Sequence, residues 1–243
     1  MNLGISHLAF KDNIEIGKTF DILQKLGIGN LEIVFSKFEH EEEFISIPTF
    51  STQSILYRSN VVDLLDESLV KHIETFTDKC CEIGVKLLVL GSPNQRNVFN
   101  LDKLIHQFSL LDEILRSKNL VLCIEPNAKK YKGKYFYTVD EIVDFLNIGN
   151  FTNISTMIDT HNLIEEQVNI LDTLGRHLDK ISHIHISEKN LGPLIKSQHH
   201  LELSYELRKL NYSKMVTYEA LNLENIVEST KKFTDIYGNS STY

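Results

Sequence analysis

The sequence predicts an eight-stranded parallel α/β barrel, and three observations lead to this fold class. The chain has 243 residues, a length that suits one such barrel. Short apolar runs alternate along it with longer amphipathic segments, as strands alternate with helices in α/β proteins. Eight runs can be counted, and no glycine-rich nucleotide-binding motif follows the first, which argues against an open, doubly wound sheet. Residues 1–243 are therefore predicted to form a single (β/α)8 domain, a TIM barrel.

The predicted strands are apolar runs that are mostly too short for helices and often rich in Val and Ile. The central runs are apolar nearly throughout, as expected for strands that are covered on both faces. The strands are predicted at 2–6, 31–34, a poorly defined stretch within 44–57, 85–91, 120–126, 155–160, 181–187 and 215–221.

The predicted helices lie between these runs and show apolar residues at helical spacing. Two of them are followed directly by a glycine, Gly27 or Gly84, which is the usual helix stop signal. The helices are predicted at 14–26, 63–83, 101–118, 139–146, 165–178 and 201–210.

Composition narrows the classes of function. The net charge is −8, from 25 Lys and Arg against 33 Asp and Glu, so the chain lacks the basic excess typical of nucleic-acid binders. Three cysteines, two of them adjacent, do not form a disulfide framework and indicate a reducing cytoplasm. No signal peptide and no apolar run of about 18 residues is found, so neither export nor a membrane partner is expected. The oligomeric state is left open, and a homo-oligomer is compatible with the sequence.

Four predicted strands carry a good metal ligand at or near their ends: Glu125, Asp159, His185 and Glu219. Successive ligands are separated by roughly 30 residues, the length of one βα unit. Because all strands of a parallel barrel end at the same mouth, these side chains are expected to converge there. Three carboxylates and one imidazole form a mostly hard-oxygen set that suits one divalent cation, Mn²⁺, Mg²⁺ or Co²⁺, with Zn²⁺ as an alternative.

Each of these residues also has an ordinary structural explanation. A carboxylate at a strand end can cap the next helix, and a lone histidine can be a core residue. However, His183 and His185 lie on one face of the same strand, and four charged or ligating groups are costly to gather without a cation. The metal site is the better interpretation.

The segments LGSPNQR, IEPNAKKY, IDTHN, HIHISEKN and VTYEA resemble the xylose isomerase-like barrels, especially the sugar-phosphate isomerase and epimerase branch. The resemblance covers nearly the whole chain. It implies one divalent cation held by Glu125, Asp159, His185 and Glu219. In ketose epimerases of this family the two metal-bound glutamates also move protons on the two faces of the substrate, which implies catalytic roles for Glu125 and Glu219.

This implied chemistry has a physical rationale. Removing a proton beside a carbonyl produces an enediolate, whose charge a cation can stabilise while a carboxylate accepts the proton. Two carboxylates on opposite faces permit epimerisation, whereas one that shuttles between adjacent carbons permits aldose–ketose isomerisation. The expected partner is therefore a small sugar or sugar phosphate.

Further substrate contacts are expected from residues beside the ligand strands. Many relatives have a histidine three residues after the strand-six aspartate, where this chain has Asn162, with His161 one residue earlier. Epimerase relatives have an arginine where this chain has Leu191, and the nearest cation is Lys189. The residues assigned to substrate binding are Asn127, Asn162, His183, Lys189 and Arg96, the last as a candidate for a phosphate. Glu32 and His7 are candidates for lining the mouth.

Three alternatives stay open. A dehydratase or lyase acting on an inosose-like ring would use the same enediolate chemistry. An endonuclease IV-like phosphodiesterase shares the barrel, but it needs a multi-zinc cluster with additional His and Glu ligands and a basic surface. A barrel that only binds its ligand is the third alternative, and the intact ligand set argues against it.

Overall fold

Eight parallel strands close into one barrel, which confirms the predicted fold class. A computed structural model describes residues 1–12, 14–35, 47–57 and 59–238. The strands follow one another around the barrel in chain order, and β1 pairs with β8 to close it. They are β1 (Asn2–Ser6), β2 (Asn30–Ile33), β3 (Thr49–Thr52), β4 (Leu87–Leu90), β5 (Val121–Ile124), β6 (Ile154–Asp159), β7 (Ile181–Ser187) and β8 (Met215–Glu219).

The helices cover the outside of the barrel. They are α1 (Ile16–Lys25), α2 (Ser68–Glu82), α3 (Leu101–Ser117), α4 (Val139–Gly149), α5 (Thr160–Glu165), α6 (Ile170–His177), α7 (Gln198–Lys209) and α8 (Ile226–Tyr237). Polar N-caps begin several of them: Asn100, Thr138, Asn169 and Asn225 each accept a hydrogen bond from the amide three residues later. Across the described part of the chain, every helix is too short or too polar to cross a membrane.

The helix predicted at 165–178 is shorter in the structure, where α6 covers Ile170–His177 and Glu165 ends the separate helix α5. Helix α5 ends at Glu165, and Gln167 then adopts a left-handed backbone conformation that a continuous helix excludes. The side chain of Asn169 starts α6 by accepting the amide of Asp172.

Helix α2 begins five residues later than the predicted start at Asp63. The Asp63 carboxylate accepts hydrogen bonds from the amides of Leu65, Asn97 and Val98, so it tethers this turn to the loop after β4.

Two other differences concern the third strand and the last helix. Within the stretch 44–57, β3 occupies Thr49–Thr52, and 44–46 lie outside the described residues; α8 was not predicted.

The barrel interior divides into an apolar part and a polar part. On the side of β4, β5 and β6, the buried side chains of Leu87, Val89, Cys123 and Met157 pack together. Across the barrel, the buried side chain of Glu32 on β2 contacts two histidines of β7. Side chains two residues apart on a strand point to the same side. Inward-facing residues nearer the carboxyl end of each strand therefore lie closer to the mouth of the barrel.

Candidate metal centre and substrate cavity

The four predicted metal ligands converge at the carboxyl ends of β5 to β8. Glu125, Asp159, His185 and Glu219 each offer one donor atom, and these four atoms lie within 4.8 Å of one another. Asp159, His185 and Glu219 are buried, with residue exposures of 2%, 0% and 6%, whereas Glu125 is partly exposed. The group therefore has its open side at Glu125.

The imidazole of His185 supplies the sharpest test of whether a cation fits. Its Nδ1 lies 3.4 Å from Oε1 of Glu125 and 3.5 Å from Oε2 of Glu219, and it is fully buried without a well-formed hydrogen bond to any residue that the structure describes. Ligand atoms at about 2.0–2.3 Å from one cation stand roughly 3–4.5 Å apart, which matches these separations. A buried nitrogen that faces two carboxylates at these separations fits a metal ligand.

Asp159 is held by two hydrogen bonds, and its pKa is raised by burial and by the neighbouring carboxylates. Its Oδ1 accepts the backbone amide of Asn162 at 2.6 Å, and its Oδ2 accepts the hydroxyl of Ser187 at 2.8 Å. Burial, followed by the charges of Glu125 and Glu219, raises the pKa of Asp159 to about 8. A divalent cation would remove this repulsion between carboxylates.

A second polar layer lies beneath the four ligands. Oε1 of Glu32 is 2.8 Å from Nε2 of His185, and Oε2 of Glu32 is 3.0 Å from Nε2 of His183. The hydroxyl of Ser51 also donates to Glu32 Oε2, at 2.7 Å. Although burial opposes it, the charges of Glu32 and Glu219 raise the pKa of His185 well above its ordinary value.

This layer corrects the expectations for His183 and Glu32. Both side chains are completely buried, so neither lines the mouth. His183 precedes His185 by two residues on β7, which places it about 6.6 Å deeper along the strand. Its contact with Glu32 makes it part of the support beneath the ligands and leaves it no access to a substrate.

The position of Glu125 depends on a glycine that the sequence did not single out. A Cβ atom on Gly91, at the end of β4, would lie 2.4 Å from Oε2 of Glu125. The side-chain amide of Asn127 donates to the same oxygen at 3.2 Å. The carboxylate therefore lies across the end of β4, where only a residue without a side chain leaves room for it.

A cavity of about 340 Å³ adjoins Glu125, a size suited to a small ligand. It is an open cleft between the segments after β3 and β4, and its polar lining includes Gln53, Ser54, Ser92, Asn94 and Gln95. Among the lining residues that the structure describes there is no lysine or arginine. Hydroxyl and amide groups of this kind can hydrogen-bond to the hydroxyls of a sugar.

The remaining predicted contacts lie on the β6 and β7 side of the mouth. Asn162 is buried, and its Oδ1 accepts the amide of Ala128, so it joins the loop after β5 to α5. His161 contacts Lys130, with 2.8 Å between its Nε2 and the ammonium nitrogen. Lys189 is exposed in the loop after β7. Of these residues, Lys189 offers the freest side chain.

His7, the other candidate for lining the mouth, follows β1. It is 4% exposed, and its ring contacts Phe10 edge-on with 6.2 Å between centroids.

Arg96 does not have the position expected of a phosphate ligand. It is fully buried, and its guanidinium donates to main-chain carbonyl oxygens of Leu90, Gly91, Glu125 and Phe136. Burial lowers the pKa of Arg96 to about 10, so the group stays charged at neutral pH. Nη1 and Nη2 both donate to the main chain and the side chain is fully buried, which argues against the expected anion contact.

Comparisons of the sequence with known proteins find one partial match. No protein-family model matches the chain. A D-psicose 3-epimerase from Enterocloster bolteae is 30% identical over 84 residues, which are 34% of this chain and 28% of that protein. The matched segment thus spans less than a third of the relative's length.

Solved structures match over nearly the whole chain. A 3-keto-D-glucoside 4-epimerase from E. coli superposes with a TM-score of 0.77 at 18% identity, covering 96% of this chain and 97% of that one. A family 2 AP endonuclease from Brucella melitensis has a TM-score of 0.80 at 12% identity, with coverages of 97% and 98%. At such identities the likeness establishes the fold alone, and it confirms the closed (β/α)8 barrel.

Proposed function

We propose that the protein is a divalent-metal-dependent epimerase or isomerase of a small sugar or sugar phosphate. The observation that carries this proposal is the convergence of Glu125, Asp159, His185 and Glu219 within 4.8 Å, beside a cavity of about 340 Å³. Sugar epimerases among the matched proteins support the choice of reaction. Mn²⁺, Mg²⁺ or Co²⁺ suits the three carboxylates, with Zn²⁺ as an alternative.

The four residues have different chemical tasks. When bound, the cation would stabilise negative charge that develops on a carbonyl oxygen as the neighbouring carbon loses its proton. Asp159 accepts two hydrogen bonds, from the Asn162 amide and the Ser187 hydroxyl, so it is suited to holding the cation rather than to moving a proton.

Glu125 and Glu219 are the groups proposed to move the proton. Glu125 directly follows β5 and Glu219 ends β8, three strands away around the barrel, and both flank Nδ1 of His185. One carboxylate takes the proton from the carbon beside the carbonyl, and the other delivers a proton to the opposite face, which inverts that carbon. Asn127 holds Glu125 through Oε2, and Oε1 stays on the side of His185.

The cavity indicates how the rest of the substrate is bound. Its described lining offers hydroxyl and amide groups, which suit a polyhydroxy chain. Arg58, which falls between two lining residues in the sequence, lies outside the described residues. Whether the substrate carries a phosphate is therefore decided by comparing each ketose with its phosphate ester.

The test is incorporation of solvent deuterium into a panel of ketoses and ketose phosphates, with Mn²⁺ added. We expect exchange at the carbon beside the carbonyl with the wild type. Glu125→Gln and Glu219→Gln keep the shape of the side chain but cannot accept a proton, so exchange should fall about 10²–10⁴-fold. Glu228→Gln, on the exposed face of α8, is the matched control and should exchange at the wild-type rate.

Two results would remove the proposal. The first is a wild type that exchanges no deuterium with any substrate of the panel. The second is full exchange by both glutamine variants. Loss of water from an inosose without exchange in ketoses would favour a lyase, and cleavage of abasic DNA would favour the nuclease whose fold this chain shares.

A further inference from the structure

The buried guanidinium of Arg96 links two strand ends of the barrel mouth. Arg96 follows a short 3₁₀ turn, Pro93–Gln95, in the loop after β4. Its Nη2 donates to the carbonyl of Leu90 at 3.0 Å and to that of Glu125 at 2.9 Å, and it also donates to the carbonyl of Gly91. One nitrogen thus contacts the last residue of β4, the first residue after β4 and the first residue after β5.

No ion pair accounts for this buried cation among the described residues. Its remaining bond, from Nη1, goes to the carbonyl of Phe136 at 3.2 Å, and Nε has no partner in the described part of the chain. A buried charge is costly unless polar groups surround it. The carbonyls at the ends of β4 and β5 are therefore its principal partners. Nη2 of Arg96 in turn holds these carbonyls close to one another.

The carbonyls held by Arg96 include the main-chain carbonyl of Glu125, the residue that carries the carboxylate. The backbone ladder between β4 and β5 ends with Leu90 paired to Ile124, and the Glu125 amide adds one bond to the Leu90 carbonyl at 3.1 Å. Beyond it, Arg96 joins the carbonyls of Gly91 and Glu125. These are the two residues whose contact sets the carboxylate position, since a Cβ on Gly91 would lie 2.4 Å from Glu125 Oε2.

We propose that Arg96 is a positioning residue for Glu125: it fixes the spacing of the β4 and β5 ends and so places the carboxylate over Gly91. The inference rests on the proposed function in one respect, because it takes Glu125 as a ligand and a proton carrier. It also assigns Arg96 a role in kcat and metal affinity, whereas a phosphate contact would affect the KM of phosphorylated substrates alone.

The experiment compares Arg96→Met with Arg208→Met. Arg208 is the control because it also donates to two main-chain carbonyls, those of Ile236 and Gly238, where α7 meets the end of α8. Mn²⁺ affinity is measured by titration with electron paramagnetic resonance, and kcat and KM are measured at saturating Mn²⁺. Crystal structures of both variants report the position of Glu125.

We expect Arg96→Met to bind Mn²⁺ about 10–100-fold more weakly, as for loss of other groups that orient a metal ligand. Its kcat should fall at saturating Mn²⁺, with KM changing equally for ketoses and their phosphates. Arg208→Met should keep the wild-type affinity for Mn²⁺, even if its Tm falls by as much as that of Arg96→Met. Wild-type affinity in Arg96→Met, or equal losses in both variants, would overturn the proposal.

Gly91→Ala tests the same placement without removing any hydrogen bond. The backbone of Gly91 is outside the left-handed region, so alanine is allowed there. We expect Tm close to the wild type with weaker Mn²⁺ binding, and unchanged binding would count against the proposal. This variant and Arg96→Lys, which keeps the charge but not the planar fork, decide the question if Arg96→Met does not fold.

The crystal structures separate this inference from the proposed function. If the wild type binds no Mn²⁺, the proposed function fails. The inference then stands only if the Glu125 carboxylate moves by about 1 Å or more in Arg96→Met and not in Arg208→Met, a displacement large enough to impair a site of this kind. An unmoved carboxylate overturns it.

Discussion

Glu32 on β2 reaches across the barrel interior to His185 on β7, with 2.8 Å between Oε1 and Nε2. The contact leaves Nδ1 of the same ring facing Glu125 and Glu219. A carboxylate on the far nitrogen of a ligating histidine fixes the ring and raises its basicity. Glu32 is therefore the residue through which the interior would support the proposed metal centre.

Replacing Glu32 by Gln should weaken metal binding without removing a ligand. The amide has nearly the same shape but no charge to balance the buried imidazole, so Mn²⁺ affinity should fall about 10–100-fold. Titration of the metal-free protein with Mn²⁺ measures this. Glu188→Gln is the control, because it changes a second carboxylate–histidine pair, with His200, whose closest atoms are 3.1 Å apart. Equal effects of the two substitutions would contradict the assigned role of Glu32.

The metal-free protein should lose stability as pH rises from about 6 to about 9. The pKa of Asp159 is raised to about 8 by burial and by the charges of Glu125 and Glu219, and the pKa of His185 is also raised. The folded state therefore holds protons that the unfolded chain has already released, and it loses this advantage as they dissociate. Thermal melts of chelator-treated protein across this range provide the measurement.

Added Mn²⁺ should reverse that trend. The cation must displace the same protons, so it binds more tightly at high pH and stabilises the fold by mass action. The rise in Tm at millimolar Mn²⁺ should therefore be larger at pH 8.5 than at pH 6, both chosen to bracket the raised pKa of about 8 of Asp159. A rise that is independent of pH would mean that the cation binds elsewhere.

Asp159→Asn should separate two effects of this carboxylate, the destabilisation of the metal-free protein and the binding of Mn²⁺. The neutral amide removes a charge that Glu125 and Glu219 disfavour, so the metal-free variant should be more stable than the wild type above pH 8. Below the raised pKa the wild-type carboxyl is already protonated, and the difference should shrink. The variant should gain little Tm from Mn²⁺. A variant less stable than the wild type at high pH would contradict this account.

The candidate ligands at the strand ends could be predicted because charged residues stand out in apolar runs of the sequence. Glu125, Asp159 and Glu219 interrupt or end apolar runs, and a parallel barrel brings all such positions to one mouth. The structure brings them together with His185, as expected. Their roles as ligands and proton carriers remain proposals that the experiments above address.

The depth of a residue within the barrel could not be predicted in the same way. Alternation along β7 places His183 and His185 on one face, but it does not say which of them reaches the mouth. That depends on the register between strands, here with His183 opposite Met215 and Asp159 opposite His185. The same limit applies to Glu32, whose partner lies across the barrel and far away in the chain.

Arg96 could not be interpreted from its motif for a different reason. In the segment GSPNQR it resembles an exposed anion-binding arginine, and only the fold shows that its side chain turns inward to the carbonyls of two strand ends. Main-chain partners leave no mark in a sequence, because any residue can supply a carbonyl. Gly91 was missed for a related reason, since its importance comes from a side chain on the next strand.

The most direct test of the central claim is an anomalous-difference map from crystals soaked in Mn²⁺. We predict one peak among Glu125, Asp159, His185 and Glu219, with ligand distances of about 2.0–2.3 Å. His185 should contribute Nδ1, the nitrogen that faces the two glutamates. No peak at this position in well-diffracting crystals, or a peak held by other residues, would contradict the account.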